Sequence, residues 1–491
     1  MPFHRILFIL ISAIASFWLV DSMGYNAVYI LNISFIINLI IEVNIISKKS
    51  KGLIFLKVPL LFNYFVFFSH LGAYYTMFLV VDKETILAGE FDILNEMTPK
   101  LYLKGLFLIN LACTFSWQGY YSSLGKSLYL KYTNIPFYNR LFSSGYSWSK
   151  LMVLNFSAYA IKFYLFSIGL YGRLVNEQYF EVGKGFKAGS ELRIFGNLSY
   201  ITLFLIAYLY FSKIKTGYII RIVLVVSFVL EVFFGSIYGA RSTFIYPFLI
   251  LFISHSISTN KLQKVYLIIL PLVLIIAFTL ILDFKNYSLS DDFGKKSNPL
   301  EQVKSFLSSG YSNSEVSKEI AISGFQKYFA SSGHSSTIAI VVDYVDHDYY
   351  QQIDVPNFKL SFLRIPFDAI IPKFIQGKQE FTWGLWFKNN VVKHATDLVY
   401  SLSITPVGFL YLTGGMMMVI IGFYFQGVIL SFTECFLTNR QSIFSLISFI
   451  LLTAETTGFD SVTSNYLTNV LRMVFIFPIF YWVMLAKVQT K

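Results

Sequence analysis

The 491-residue chain is poor in charged residues, which make up only 13% of it. A soluble globular domain carries about 25% charged residues, so the composition argues against a soluble protein. Hydrophobic residues reach 55% of the chain, and the mean hydropathy is +0.60. The sequence therefore predicts a protein that resides in a lipid bilayer.

Cysteine is also scarce, since only Cys113 and Cys435 are present. They lie far apart, each in or near an apolar stretch, so we expect neither a disulfide framework nor a zinc site. The P-loop and the Gly-x-Ser-x-Gly patterns are missing too. ATP hydrolysis and serine-hydrolase chemistry are thus unsupported, and we expect no cofactor.

Metal-ligand patterns are weak. Glu90-Phe91-Asp92 is an acid-x-acid pattern, and three aspartates surround His347. Such short patterns arise often by chance, and no His, Cys and Asp set has convincing ligand spacing, so we expect no metal. The acidic run comprises Asp343, Asp346 and Asp348.

Long apolar runs are the abundant feature. A bilayer core about 30 Å thick needs about 20 apolar residues per helix, and in lipid each helix must pair its own backbone polar groups. We therefore predict an all-α polytopic membrane protein with about twelve transmembrane helices. The predicted spans are 5–20, 27–46, 53–81, 103–121, 151–170, 197–212, 219–238, 243–257, 265–282, 404–430, 441–456 and 466–486. The first run resembles a signal peptide, but we expect it to be retained because further spans follow at once.

The distribution of Lys and Arg predicts the orientation. The net charge is +12, and alternate loops carry most of the basic residues, so these loops and both termini are expected to be cytoplasmic. The chain has no basic-aromatic nucleic-acid motif, and its basic loops suit anionic lipid instead. The prediction divides the chain into a bundle of spans 1–9 (1–282), a large external loop (283–402) and spans 10–12 (403–491). The loop is predicted to be partly helical, because apolar residues over 305–330 have helical spacing.

A break between two apolar helices, 235–242, contains Gly235, Ser236 and Arg241. The predicted topology puts Arg241 at the external membrane face. A guanidinium beside two helix ends can bind phosphate oxygens bidentately. The alternative is an ordinary interhelical turn whose arginine reaches lipid headgroups.

The second half of the external loop is basic and aromatic, which suits a phosphate and a sugar together. The alternative is a solvated basic loop over an anionic bilayer. Its candidate residues are Arg364, Lys373, Lys378, Trp383, Trp386, Lys388, Lys393 and His394.

The next span starts with small residues around Tyr411, including Gly414 and Gly415. This pattern is typical of close helix packing. Within the spans, Lys162 and Glu231 lie deep enough to pair with each other or to face a polar cavity.

Over 151–426, the Gly/Ser-x-Arg turn, the large loop with its Ile-Pro-Lys…Gly-Lys segment and the Tyr-Leu…Gly-Gly helix start resemble the Wzy-type O-antigen and capsular polysaccharide polymerases. The resemblance implies a GT-C-like glycosyltransferase in the bacterial inner membrane. Such an enzyme joins undecaprenyl-diphosphate-linked repeat units, alongside a chain-length regulator and a flippase. Many relatives have an acidic residue just before the Tyr-Leu pair, where this chain has Phe409, so the resemblance supplies no general base there.

Carried over to this chain, the resemblance implies catalytic roles for Arg241 and Arg364 and substrate binding by Lys373 and Lys378. His394 is a candidate base because the unperturbed pKa of histidine lies near neutrality. Lys388, Trp383, Trp386 and Tyr411 are further candidates for glycan or diphosphate contacts.

Three other functions remain open from the sequence. An O-antigen ligase would use the same lipid-linked donor and share nearly all these features. A transporter or flippase for lipid-linked sugars is disfavoured by the single long loop, the lack of repeats and the sparse intramembrane charge. A scaffold subunit would not depend on Arg241.

Overall fold

The computed structural model describes residues 3–49, 99–168, 195–238, 241–260, 265–266, 268–273, 276, 304, 334–346, 365–367, 386–387, 404–438, 442–456 and 463–487. This part of the chain is helical, apart from one pair of two-residue strands. The helices are α1 (Phe3–Met23), α2 (Val28–Lys49), α3 (Pro99–Tyr121), α4 (Leu124–Asn134), α5 (Pro136–Ser143), α6 (Trp148–Ser167), α7 (Leu198–Phe211), α8 (Tyr218–Tyr238), α9 (Arg241–Thr259), α10 (His334–Asp346), α11 (Thr405–Phe436), α12 (Ile443–Thr456) and α13 (Thr463–Met484). The strands are β1 (Gly145–Tyr146) and β2 (Ala486–Lys487), which pair antiparallel.

Five helices in the described part are long and apolar enough to cross a membrane: α1, α2, α8, α11 and α13. Shorter apolar helices are α7, α9 and α12. The prediction of an all-helical polytopic membrane protein is confirmed at this level, because each of these helices coincides with a predicted span. The count of about twelve and the GT-C likeness stay predictions. The predicted span 53–81 lies outside the described residues, and 265–282 is described only in part.

Helices α4 and α5 lie within a stretch, 122–150, that the sequence predicts only as a loop. Pro136 begins α5, where its fixed φ suits the first turn and its missing N–H costs nothing. Tyr132 and Tyr138 stack with ring centroids 3.9 Å apart. Burial raises the pKa of both phenols, because it disfavours the charged phenolate.

The chain divides into two compact units. The first unit comprises Met1–Ser144 and Gln326–Trp482, and the second comprises Gly145–Phe325 and Val483–Lys491. We describe the two units separately.

Helices α3 and α11 form the central pair of the first unit. Their backbones touch at two glycines: a Cβ on Gly119 would lie 1.9 Å from the Tyr424 carbonyl oxygen, and one on Gly427 would lie 1.9 Å from the Ser116 carbonyl oxygen. Small residues permit such close approach between membrane helices, where packing replaces the hydrophobic effect.

Helix α11 breaks at Gly414 and Gly415. Gly415 has φ 64° and ψ −157°, a conformation that is essentially restricted to glycine. A Cβ on Gly415 would meet nothing within 4 Å, so this glycine permits a bend rather than the close helix packing expected from its sequence. The prediction of a span over 404–430 also ended too early, because α11 continues to Phe436.

Helix α10 lies within the segment that the sequence assigns to the external loop. It packs against α3 and α11 and buries an aliphatic run that includes Ile338, Val341 and Val342. The helical spacing predicted over 305–330 falls outside the described residues, and α10 itself was not predicted. A run of β-branched residues has weak helix propensity, and its burial against two helices offsets that cost.

The second unit contains α6, α7, α8 and α9. Helix α7 contacts the other three and buries nine of its fourteen residues. A helix that is apolar on all sides belongs in the centre of a bundle, so the composition of α7 explains its position.

Candidate functional site

Three side chains converge where α10 ends. Lys104 of α3 and Tyr411 of α11 both bind Asp346, the last residue of α10. The Lys104 Nζ is bonded to the Asp346 Oδ2, and the Tyr411 hydroxyl donates to the Asp346 Oδ1 over 3.2 Å. We call Lys104, Asp346 and Tyr411 the Asp346 cluster. It joins a cation, a carboxylate and a phenol from three separate helices.

The charged members of this cluster are accessible. The side chains of Lys104 and Asp346 are 37% and 36% exposed, whereas Tyr411 is 7% exposed. The buried ring fixes the phenol, and the Lys104 Nζ lies 5.9 Å from the centre of that ring. A bound molecule could therefore reach both charges without unfolding any helix.

Each member of the cluster has a local structural reason for its position. A carboxylate at a helix C-terminus faces the negative end of the macrodipole, so Asp346 needs the two donors that it has. Tyr411 lies three residues before the break at Gly414, in the short first segment of α11. That segment begins at Thr405, whose φ is +62° and whose hydroxyl accepts from the Gly408 N–H over 3.2 Å.

A metal role for the acidic run finds no support in the described part of the chain. No group of three His, Cys, Asp or Glu side chains there is placed to hold a metal ion. Asp346 is instead bonded to a lysine and a tyrosine. His347, Asp348, Glu90 and Asp92 lie outside the described residues.

Of the candidates in the external loop, the structure describes Trp386. Its indole is 7% exposed and meets the Tyr344 ring of α10 edge-on, with centroids 6.4 Å apart. The ring thus packs inside the first unit, near the helix that carries Asp346, and presents little face to a sugar. The other loop candidates lie outside the described residues: Arg364, Lys373, Lys378, Trp383, Lys388, Lys393 and His394.

A boundary between helices before Arg241 is confirmed, because α8 ends at Tyr238 and α9 begins at Arg241. The predicted break over 235–242 was too long, since Gly235 and Ser236 lie within the last turn of α8. A Cβ on Gly235 would lie 2.6 Å from the Thr243 carbonyl oxygen. The Thr243 hydroxyl also donates to the Gly235 carbonyl over 3.2 Å. Glycine is needed at 235 because the two helices touch there, and Arg241 occupies the first turn of α9, where backbone N–H groups lack helical partners.

Lys162 and Glu231 pair in the second unit, which is one of the two alternatives that the sequence left open. The Lys162 Nζ lies 2.8 Å from each Glu231 oxygen. Their side chains are 1% and 0% exposed. The Nζ also lies 4.6 Å from the centre of the Tyr200 ring, a distance that permits a cation–π contact.

A chain of polar contacts extends from this ion pair through α6, α7 and α8. The Tyr159 hydroxyl donates to the Ser227 carbonyl over 2.8 Å, and Asn155 donates to the Ser227 hydroxyl over 3.1 Å. The Thr202 hydroxyl donates to the Asn155 side-chain oxygen over 2.6 Å. Because these groups satisfy one another inside the unit, we assign the network to helix association rather than to chemistry.

A second internal ion pair, between Arg5 and Glu42, was not predicted. The Arg5 Nη1 lies 2.7 Å from a Glu42 oxygen, and the guanidinium lies 4.4 Å from the Trp117 ring centre. Both side chains are buried. Arg5 stands at the start of the first apolar run and Glu42 near the end of the second. An antiparallel helix pair brings the start of one helix close to the end of the next. Opposite charges at these two positions were therefore the sequence feature that could have predicted the ion pair.

Comparison with known proteins found no matching family model, no similar curated protein and no similar solved structure. The function must therefore be argued from the residues and their geometry.

Proposed function

We propose that this chain is a membrane-embedded glycosyltransferase of the bacterial inner membrane. It joins undecaprenyl-diphosphate-linked oligosaccharide repeats into O-antigen or capsular polysaccharide at the outer membrane face. The growing glycan on its lipid diphosphate is the donor, and a single lipid-linked repeat is the acceptor. An acceptor hydroxyl attacks the anomeric carbon of the donor, and the lipid diphosphate leaves.

The Asp346 cluster is the observation that carries this proposal. Its members come from three segments that the sequence predicts on the external side: the start of span 4, the loop 283–402 and the start of span 10. Their convergence gives an accessible carboxylate and ammonium at a break in a membrane helix. In glycosyl transfer from a lipid diphosphate, such a pair can serve as a base for the acceptor hydroxyl and a cation for the leaving group.

The physical demand of the reaction agrees with the available residues. A diphosphate is already a good leaving group, so the main tasks are to position two large substrates and to stabilise developing negative charge. Arg241, at the first turn of α9, and the basic residues of the loop are proposed to bind the diphosphate. Lysine and arginine perform this task as fixed charges, without a metal.

A lipid-linked sugar transporter is favoured less. Transport coupled to ions or protons uses intramembrane ionisable groups that face a cavity. In the part of the chain that is described, Lys162 and Glu231 are instead bonded to each other and closed off from solvent. An O-antigen ligase would use the same donor, and the acceptor in the assay separates the two enzymes.

The proposal is tested with purified protein and the lipid-diphosphate-linked repeat unit extracted from the organism that carries the chain. A ladder of products that differ by one repeat is expected with no other acceptor present. Transfer only when lipid A core is added would identify a ligase. No transfer by folded protein to either acceptor would reject the glycosyltransferase.

Arg241→Ala should abolish chain growth in cells while single repeats still reach lipid A, because the diphosphate loses a bidentate cation. Band patterns of the extracted polysaccharide give the measurement. The matched control is Arg221→Ala. It removes an exposed arginine near the start of α8, at the end of that helix opposite Arg241, and should leave chain length unchanged. Long chains in the Arg241 variant would disprove the role of this residue.

A further inference from the structure

Among the described carboxylates, Asp346 combines access with fixed geometry. Glu42 and Glu231 are fully buried beside their cations, so no substrate reaches them. Asp21 has the opposite property, because its side chain is 77% exposed and its bond to Lys100 is a surface ion pair. The Asp346 carboxylate is partly exposed, and a buried phenol holds one of its oxygens.

Lys104 and Tyr411 set the direction of this carboxylate, because the Lys104 ammonium is bonded to its Oδ2 and the Tyr411 hydroxyl donates to its Oδ1. While Lys104 is bonded there, it occupies the oxygen that could accept a proton from a substrate. An anionic group that attracts Lys104 would uncover this oxygen and leave the carboxylate oriented by Tyr411.

On the basis of the proposed function, we infer that Asp346 accepts the proton of the attacking acceptor hydroxyl, and that the donor diphosphate draws Lys104 away from it. The hydroxyl oxygen forms the new bond to the anomeric carbon while its proton passes to the Asp346 carboxylate. The bond between that carbon and the phosphate oxygen breaks. Its electron pair leaves with the undecaprenyl diphosphate, whose charge Lys104 then neutralises.

The geometry fits the chemistry of the donor. The anomeric carbon is directly attached to the diphosphate, so the base for the attacking hydroxyl and the cation for the leaving group must lie within one small site. Asp346 and Lys104 are in contact. Because Lys104 leaves Asp346 only when it binds the donor diphosphate, Asp346 can accept a proton only when donor is present.

Single-turnover transfer by the full chain in detergent tests this role. Asp346→Asn should lower the rate by about 10²–10⁴-fold, the usual contribution of a general base. Donor binding should not weaken, because Lys104 no longer has to leave a competing carboxylate. Lys104→Met should lower the rate and weaken donor binding as well. The matched control is Lys100→Met, one turn earlier on α3, which removes the cation of the exposed pair with Asp21 and should change neither quantity.

Azide separates a catalytic role from a structural one. This anion attacks without losing a proton, so it should restore donor consumption by Asp346→Asn, with glycosyl azide and undecaprenyl diphosphate as products. It should not restore Lys104→Met. If Asp346→Asn does not fold, Asp346→Glu replaces it, and its retained carboxylate should preserve part of the rate and need no azide.

The outcomes distinguish this inference from the function beneath it. If the wild-type protein transfers no repeat, the proposed function fails. If the wild type is active, three results overturn the role of Asp346: an undiminished rate in Asp346→Asn, loss of donor binding in that variant, or no azide product. If only Asp346→Glu folds, two results would overturn the role of Asp346. These are a transfer rate of zero and a rate of donor consumption that rises when azide is added.

Discussion

At the scale of single residues, the second unit depends on the mutual neutralisation of Lys162 and Glu231. A charge without a partner in hydrocarbon is costly, and each of these residues supplies the other's partner over 2.8 Å. Removal of one partner from a buried pair costs about 3–5 kcal/mol, whereas exchange of both for apolar residues is often neutral. The second unit is therefore expected to lose stability when one partner of the pair is removed, but not when both are replaced.

Glu231→Gln is expected to destabilise the protein by about 3–5 kcal/mol because it leaves the Lys162 ammonium buried without a counter-charge. The thermal unfolding midpoint in detergent gives the measurement. The double variant Lys162→Met with Glu231→Leu should recover most of the loss. Lys100→Met, at the exposed pair with Asp21, should change stability by less than about 1 kcal/mol. A Glu231→Gln midpoint equal to that of the wild type would show that the pair adds nothing.

At the scale of helices, α3 and α11 determine the site, because each contributes one member of the Asp346 cluster. The two helices run parallel: Lys104 and Tyr411 meet near their starts, and the Tyr120 hydroxyl donates to Glu434 over 2.6 Å near their ends. Between these ends, glycine brings the backbones together. The register of the pair therefore fixes where Lys104 stands relative to Tyr411.

Gly427→Ala should disturb this pair, because its Cβ would lie 1.9 Å from the Ser116 carbonyl oxygen. Overpacking costs about 1–3 kcal/mol, and since backbone cannot rotate away, we expect the upper part of that range with reduced transfer activity. Thermal unfolding and the repeat-transfer assay give the two measurements. Gly145→Ala is the control, since its nearest neighbour would be 3.9 Å away. An unchanged midpoint for Gly427→Ala would mean that the helices separate without cost.

At the scale of the whole molecule, the decisive property is which end of each helix faces outward. Basic loops predict cytoplasmic ends, and this predicted topology puts the Asp346 cluster on the outer side, where the proposed polymerisation takes place. Lys100 of α3 and Lys126 of α4 are both exposed, and the prediction puts them on opposite sides.

Cysteine labelling checks this orientation in a background without Cys113 and Cys435. Lys100→Cys should react with an impermeant maleimide in intact spheroplasts, whereas Lys126→Cys should react only after permeabilisation. The exposure of both positions makes their reactivities comparable. The opposite pattern would invert the topology and remove the Asp346 cluster from the outer face.

The sequence alone determined the class of the protein and the course of most of its helices. Apolar length is a local property, and in a bilayer it forces a helix because every backbone polar group must pair within it. The boundary before Arg241 could also be located approximately, although Gly235 and Ser236 lie inside α8 and do not interrupt it. For Lys162 and Glu231 the sequence left two alternatives, a pair or a polar cavity, and the structure shows the pair.

Only the tertiary structure brought together Lys104, Asp346 and Tyr411, which stand 242 and 65 residues apart in the chain. Lys104 was not recognisable as a site residue, and Asp346 was singled out only as part of an acidic run considered for a metal. A single lysine or aspartate near a helix end is common, and contact between distant helices leaves no periodic signal. Gly415 illustrates the same limit. Its sequence context predicted close helix packing, whereas its φ of 64° and the open space around its Cα show that it permits a bend.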